Sequence, residues 1–480
     1  VSGSIEVLSV ASEIHPLVKT GGLADVVGAL PGALAGQGVA MRVLVPGYPA
    51  VIGGLEEAET MAALPDLYGG PVRLLAGSVG RTRLVALDAP DLYQRSGNPY
   101  VAQNGQDWPD NAIRFAALSR VATMLAEGVV ADYRPAIVHA HDWQAALAPA
   151  MMHYAGVSAR SVLTVHNLAF QGRFEAGVFP LLGLPPRAMA VEGVEYYGGV
   201  GFLKAGLLFA DAITTVSPTY AAEILTPEGG MGLDGLLRGR AEDLHGIVNG
   251  VDVEDWNPAD DRRLAAAYGL ATLEARAANR RAVEDRFGLP ASPDLLVTIV
   301  SRLTWQKGMD LVAEALDAMV AAGARFAILG SGDRSIEAAF LAAAARHPER
   351  IGVVTGYDEA LSHQLQGGAD AILVPSRFEP CGLTQLYGLR YGCVPLVARA
   401  GGLADTVIDA NDAALSAGVA TGVAFAPGDR GAMESAVRRA VVLHREGAPW
   451  LAMQRAGMRA DVSWERSAAR YAALYRSLIA

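Results

Sequence analysis

The stretch LLVTIVSRLTWQKG (residues 295–308) sets an unbroken apolar run against a turn carrying two cations. The run LLVTIVS (295–301), rich in Val and Ile, suits a strand buried on both faces of a parallel sheet. Arg302 and Lys307 follow it, where strand gives way to helix. In open parallel sheets, ligands bind beyond the carboxyl ends of the strands. Two cations spaced across such a turn can converge on one diphosphate; a solvated surface pair is the plainer reading.

The same grammar recurs along the chain. The first half offers IEVLSV (5–10), MRVLVP (41–46), AIVHAH (136–141), SVLTVH (161–166) and AITTVS (212–217). The second half adds RFAILG (325–330), IGVVTG (351–356), AILVPS (371–376) and VPLVAR (394–399), with helical segments at 310–322 and 335–346. Two such series predict two doubly wound α/β lobes, and 480 residues are too many for one ordinary core. The turn signals Asn249-Gly250 and Asn257-Pro258 put a boundary in HGIVNGVDVEDWNP (245–258). The expected division is an N-terminal lobe over 1–245, a C-terminal lobe over 246–458 and a closing helix over 459–480, which can pack back on either lobe. The Gly-rich TPEGGMGLDGLL (226–237) reads as a mobile loop.

Bulk properties narrow the function. A net charge of −11 argues against non-specific nucleic-acid binding, so an anionic ligand must be held by local basic residues. Cys381 and Cys393 are the only cysteines, which excludes a disulfide scaffold and fits a reducing, cytoplasmic setting. The N-terminal VSGSIEVLSV has no basic region and carries Glu6, so it does not read as a signal peptide; its missing Met points to processing or an edited start. Charges such as Lys204 and Asp211 interrupt the most apolar windows, so no membrane span is expected.

Polar clusters follow the expected strands almost one for one. Lys19-Thr20-Gly21-Gly22, His141-Asp142-Trp143 and His166-Asn167 do so in the first lobe. Gly330-Ser331-Gly332-Asp333, Tyr357 and RFEPCGLTQ (377–385) do so in the second. GGLAD occurs at 21–25 and again at 401–405, each time after a strand and before a helix, where the backbone must turn tightly. Each cluster has a plainer reading. Lys19 with its glycines lacks Walker spacing and also fits a simple turn. His139 and His141 suggest a metal, but no third ligand is evident and packing fits better. His166 reads equally as a core or an active histidine. Glu379 fits a helix cap as well as a ligand, the cysteines fit buried small side chains, and Trp143, Trp305 and Tyr357 fit core positions.

Taken in order, KTGGLADV, HAHDWQAAL, TVHNLAFQG, HGIVNGVD, SRLTWQKG, PSRFEPCGLTQLYGLRYG and ARAGGLADTV closely resemble the bacterial glycogen synthase and plant starch synthase family. The resemblance runs from about residue 5 to 475. It implies the glycosyltransferase-B fold, two Rossmann-like lobes about a deep cleft. It also implies transfer of glucose from ADP-glucose to the non-reducing end of an α-1,4-glucan, with retention. No cofactor is expected, and with cations to meet the diphosphate charge and no Asp-x-Asp cluster in the sequence, no divalent metal is needed. By that pattern Lys19 and the Gly21-Gly22 turn belong to the nucleotide-sugar site, with Asp25 nearby, and Asn249 of HGIVNGVD is a substrate-binding position. Arg302 and Lys307 match the diphosphate pair, and Glu379 the carboxylate on the donor-sugar hydroxyls. Cys381, Gly382, Leu383 and Thr384 match the loop around sugar and phosphate. His166 and Asn167 match residues beside the transferred glucose. Tyr93 and Asp142 match sugar-contacting or acceptor-side positions, and Tyr357 an aromatic near adenine.

Two departures stand out. Gly229 occupies a position where the family usually has an aromatic, which favours a loop of unusual mobility. Tyr387 stands where related retaining transferases carry a second Glu, although the synthases also tend to lack it. Three rival readings remain: another sugar-nucleotide transferase of this fold, a non-catalytic glucan-binding scaffold, and an NAD oxidoreductase. The last lacks the G-x-G-x-x-G fingerprint after the first strand.

Overall fold

The structure, a computed structural model, describes residues 4–102 and 104–480, so residues 1–3 of the N-terminal stretch lie outside it. The chain forms two compact units, one running up to Asn249 and including Trp464–Ala480, the other Gly250–Ser463. Both crossings fall slightly later than expected. The strand Leu244–Gly246 pairs with Ala212–Thr215 and so completes the first sheet. Val251 bonds the Val462 carbonyl at 2.8 Å, keeping the two ends of the second unit side by side.

The first unit carries a nine-stranded sheet. Its order is Leu244–Gly246, Ala212–Thr215, Arg160–Val165, Ile137–His141, Ile5–Val10, Val39–Pro46, Thr82–Asp88, Val72–Val79, Glu56–Leu64. All pairings from Leu244–Gly246 to Thr82–Asp88 are parallel. The last two strands run antiparallel at the edge. Sequence patterning misses this edge because EEAETMAAL is mostly exposed and composed of helix-favouring Glu and Ala. It also misses Thr82–Asp88 and a three-stranded sheet of very short strands, Arg173–Phe174, Glu195–Tyr196 and Gly199–Gly201. The helix Glu465–Ile479 buries Ala468, Tyr471, Ala472 and Tyr475, a helical-period stripe, against Val7, Leu30, Leu34 and Ile137 of this same unit.

The second unit carries a six-stranded, all-parallel sheet in the order Ile351–Thr355, Arg325–Gly332, Leu296–Leu303, Ala371–Val374, Val394–Ala398, Val423–Phe425. Apolar clusters cover both faces, as the unbroken Val and Ile runs require.

Each sheet has one place where strand order reverses. In the first unit the chain builds outward from Ile5–Val10 through Val39–Pro46, then returns to the other side of Ile5–Val10 with Ile137–His141. In the second it builds from Leu296–Leu303 through Arg325–Gly332, then returns with Ala371–Val374. Connections splay apart at such switch points and leave a crevice at the carboxyl edge.

The 226–237 segment corrects the expectation of mobility. Thr226 closes a turn on the Glu223 carbonyl, Gly229 bonds the Thr226 hydroxyl at 3.1 Å, and Gly230 bonds the Thr226 carbonyl at 2.8 Å. A Cβ on Gly229 would lie 2.3 Å from the Glu223 carbonyl oxygen, so glycine here serves close packing. Among the described residues no helix is long and apolar enough to cross a membrane.

Candidate active site

At the switch point of the second unit, the turn after Leu296–Leu303 meets the turn after Ala371–Val374. The Lys307 ammonium donates to Glu379 Oε2 at 2.5 Å, and the Ser376 hydroxyl donates to the same oxygen at 2.7 Å. Glu379 is buried and Lys307 half-buried. The approach is tight because Gly308, at φ +71°, lets its turn lie on Pro375; a Cβ there would sit 2.2 Å from the Pro375 carbonyl oxygen. Arg302 is the last residue but one of its strand and has an exposed side chain, and among the described residues no carboxylate pairs with it. The neighbouring Arg377 belongs to the scaffold. It forks onto Asp310 at 2.6 and 2.7 Å and lies 4.4 Å over the ring of Trp305, which is exposed and not a core residue.

The second diglycine is the bed of this loop. Gly401, at φ +44°, would put a Cβ 2.1 Å from the Glu379 carbonyl oxygen, and Gly402 one 2.2 Å from that of Cys381. The Gly402 amide donates to the Glu379 and Pro380 carbonyls, both at 3.1 Å. From the other side the Gln385 amide donates to the Cys381 and Gly382 carbonyls at 3.0 and 2.8 Å. Cys381 is buried, Gly382 takes φ +71°, and Leu383 and Thr384 are half-buried where the helix Thr384–Tyr391 begins. Tyr387 is buried and stacks on Trp256, a packing role. Tyr357 is exposed, with its hydroxyl on Glu359 at 2.8 Å.

At the switch point of the first unit, Lys19 pairs with Asp25 at 2.8 Å across the start of the helix Gly22–Ala35. Gly21 caps that helix with extended backbone, no side chain caps it, and no atom lies within 4 Å of a Cβ built on Gly21. Exposed amides at a helix start suit an anion. Glu13, unremarked in the sequence, holds the turn: its carboxylate accepts from the Thr20 amide at 2.5 Å, the Thr20 hydroxyl at 2.6 Å and the Tyr100 hydroxyl. The signal available was an acid placed shortly before a basic glycine turn.

Asp142 sits at φ +55°, uncommon for a non-glycine residue. Its carboxylate accepts from the His166 amide at 2.7 Å and the Asn167 amide at 3.4 Å. Burial pushes its pKa up to about 7 despite those bonds. His166 Nε2 lies 3.0 Å from His141 Nδ1, and His141 Nε2 lies 3.1 Å from the Ser9 hydroxyl. Burial pushes His166 down to about 3 and His141 well below its ordinary value, so both rings are neutral and share one proton between them. His139 spends both ring nitrogens on protein hydroxyls, those of Tyr475 and Thr164 at 2.7 and 2.6 Å, which is a packing role.

Tyr93 lies in the short helix Pro90–Tyr93. It is fully buried, packs edge-on against Tyr48, and donates its hydroxyl to the Arg114 carbonyl. Asn249 is buried with an Oδ1 that finds no hydrogen-bond partner among the described residues. Leaving such a group unsatisfied costs about 1–3 kcal/mol, which is consistent with a position built for a ligand.

Residues 6–239 match the family described as starch synthase catalytic domain, and residues 282–444 the family described as glycosyl transferases group 1. The chain is 60% identical over 476 residues to the glycogen synthase of Mesorhizobium japonicum, covering 99% of each. It is 57% identical to glycogen synthase 1 of Rhizobium meliloti, covering 99% of this chain and 100% of that one. The catalytic domain of starch synthase IV from Arabidopsis thaliana, solved bound to ADP and acarbose, superposes with a TM-score of 0.90 at 31% identity over 99% of each chain. Sucrose-phosphate synthase from Thermosynechococcus elongatus, at TM-score 0.59 and 16% identity over 99% of each chain, shares the fold alone, the glycosyltransferase-B fold. With one largely and one wholly parallel sheet, a paired lysine and glutamate at the second switch point and relatives of this identity over its whole length, the chain belongs to the glycogen synthase family of glycosyltransferases.

Proposed function

We propose that this protein elongates an α-1,4-glucan at its non-reducing end with glucose from ADP-glucose, retaining the anomeric configuration. The observation that carries the reading is the Lys307–Glu379 contact at the switch point of the second unit. It sets a cation suited to a diphosphate directly beside a carboxylate suited to sugar hydroxyls. The glycogen synthase relatives and the ADP-bound starch synthase support the substrate assignment.

As the sugar leaves, negative charge grows on the diphosphate and positive charge on the ring. Arg302 and Lys307 meet the first, together with backbone amides around Gly382–Thr384; each charged hydrogen bond contributes about 1.5–3 kcal/mol. Glu379 grips the hydroxyls of the donor glucose. Lys19, with the Gly21-Gly22 turn and Asp25, contacts the nucleotide sugar, as does Asn249, and Tyr357 lies against adenine. The backbone carbonyl of His166 shields the cationic ring. Asp142 holds the His166-Asn167 backbone in place for that task. With Glu379 engaged at the hydroxyls, no carboxylate is assigned beneath the anomeric carbon, so retention proceeds by same-face attack. The departing phosphate oxygen takes the acceptor hydroxyl proton, the new C1–O bond forms as the old one breaks, and ADP leaves. A glucosyl adduct trapped on any side chain would contradict this route.

The test is incubation of the enzyme with radiolabelled ADP-glucose and a glucan primer, with UDP-glucose in a parallel arm. Label should pass to the glucan from ADP-glucose. A folded protein that elongates nothing from either donor would overturn the reading, and faster transfer from UDP-glucose would overturn the donor assignment.

A further inference from the structure

The second unit holds another polar cluster that the transfer reaction does not use, where the segment 255–263 meets the helix Glu359–Gly368. At its centre is His363, whose side chain is fully buried. Its ring stacks on the Trp256 indole at 3.6 Å between centroids, and Trp256 stacks in turn on Tyr387 at 3.5 Å. This stack fixes the plane of the imidazole.

The two ring nitrogens have unlike surroundings. Nδ1 faces the fully buried Asp261 carboxylate at 2.7 Å, and the Tyr391 hydroxyl donates to the same oxygen at 2.7 Å. The Asp261 carboxylate accepts a hydrogen bond from Nδ1–H, the tautomer that leaves a lone pair on Nε2. Nε2 is buried and has no hydrogen-bond partner. It faces Asp255 Oδ2 at 3.9 Å, another acceptor. One ligand atom each from Asp255, Glu359 and His363 lie within 4.8 Å of one another.

Two acceptors turned toward each other across a gap of this width call for a cation between them. Charge points the same way. Asp255, Asp261 and Glu359 bring three negative charges, and Arg263, at 2.8 Å from Asp255 and 3.4 Å from Asp261, returns one. Carboxylates thus outnumber the guanidinium around His363, a setting that suits a cation.

We propose that His363 Nε2, Asp255 and Glu359 form a binding site for a divalent transition-metal ion of the zinc type, with Asp261 as the carboxylate that orients the histidine. An imidazole donor with two carboxylates favours zinc, cobalt or nickel over magnesium or calcium, which prefer all-oxygen shells. A carboxylate on the far nitrogen of a metal-binding histidine fixes its tautomer and raises its basicity. The ion clasps the segment 255–263 to the start of the helix Glu359–Gly368, so its role is structural and separate from glucosyl transfer.

The test uses the full chain, stripped with a chelator and titrated with zinc chloride by calorimetry and thermal denaturation, with magnesium chloride in parallel. One zinc ion per chain should bind and raise the melting temperature, and magnesium should do neither. Asp255→Asn and Glu359→Gln should each weaken zinc binding by about tenfold or more, with circular dichroism like that of the wild type. Both residues are only partly buried, so if one variant fails to fold the other decides. Cobalt in place of zinc should give visible bands that both variants diminish. Absence of saturable zinc binding, or binding equally tight in the variants, would overturn the proposal.

Discussion

Lys307 and Glu379 hold each other at 2.5 Å, on the carboxylate oxygen that also takes the Ser376 hydroxyl at 2.7 Å. The two residues are far apart in sequence and meet only because strand order reverses between Leu296–Leu303 and Ala371–Val374. They should therefore act as a unit. Lys307→Ala and Glu379→Ala should each lower kcat/KM by roughly 100-fold or more. The double variant should lose clearly less than the product of the single losses, because each single change already leaves its partner unpaired. Steady-state kinetics on the four proteins checks this; strict additivity would mean that the contact has no functional meaning.

Glu13 gathers three hydrogen bonds, two of them from Thr20, and so sets the position of Lys19. Glu13→Gln should raise the KM for ADP-glucose by roughly tenfold, the equivalent of one hydrogen bond, with a smaller change in kcat. Lys19→Ala is the comparison. An effect of Lys19→Ala without one of Glu13→Gln would show that the turn holds itself.

Asp142 gives a pH signature. Its folded pKa of about 7 lies above the ordinary 3.8, so the folded protein binds the extra proton between those values. The stability linked to that proton is full at acid pH and lost as pH rises through about 7, by an amount on the order of 4 kcal/mol. Asp142→Asn keeps an acceptor for the His166 amide and removes the titration. The variant should gain stability over the wild type on moving from about pH 5 to about pH 8.5, measured by denaturant unfolding. A difference that does not change with pH would contradict the assignment.

The two GGLAD copies should respond in opposite ways to added bulk. Gly401→Ala forces a Cβ to within 2.1 Å of the Glu379 carbonyl oxygen at a positive φ, and should cost about 1–3 kcal/mol together with most activity. Gly21→Ala meets no atom within 4 Å and has extended backbone, so the melting temperature should hardly move. Thermal denaturation of the two variants decides.

Much of this was legible in sequence because parallel strands buried on both faces write themselves as Val and Ile runs, and their carboxyl ends collect the polar clusters. The runs at 5–10 and 325–330 appear as Ile5–Val10 and Arg325–Gly332. Edge strands escaped because their residues are chosen for solvent, as in Glu56–Leu64. The supporting groups escaped for another reason. Glu13, on Tyr100, and the His141–His166 pair act through hydrogen bonds between segments distant in sequence, and no local pattern encodes such a meeting. Ser376 and Gln385 act within their own turn, on Glu379 and on the Cys381 and Gly382 carbonyls, through a turn geometry that residue types alone do not reveal. The burial of Tyr93 was not legible, because family resemblance marks a position and not its exposure; its hydroxyl bonds the Arg114 carbonyl. Gly229 was misread because glycine signals both freedom and close packing, and here the Glu223 carbonyl requires the second.

The most direct measurement is calorimetric titration of ADP into wild type, Arg302→Ala, Lys307→Ala and Glu379→Ala, paired with an assay of transfer from ADP-glucose. If the second switch point grips the diphosphate through its two cations and the sugar through Glu379, ADP affinity falls by about tenfold or more in the first two variants. Glu379→Ala then keeps ADP binding, and all three lose transfer. Unchanged ADP affinity in both Arg302→Ala and Lys307→Ala would contradict the account at its centre.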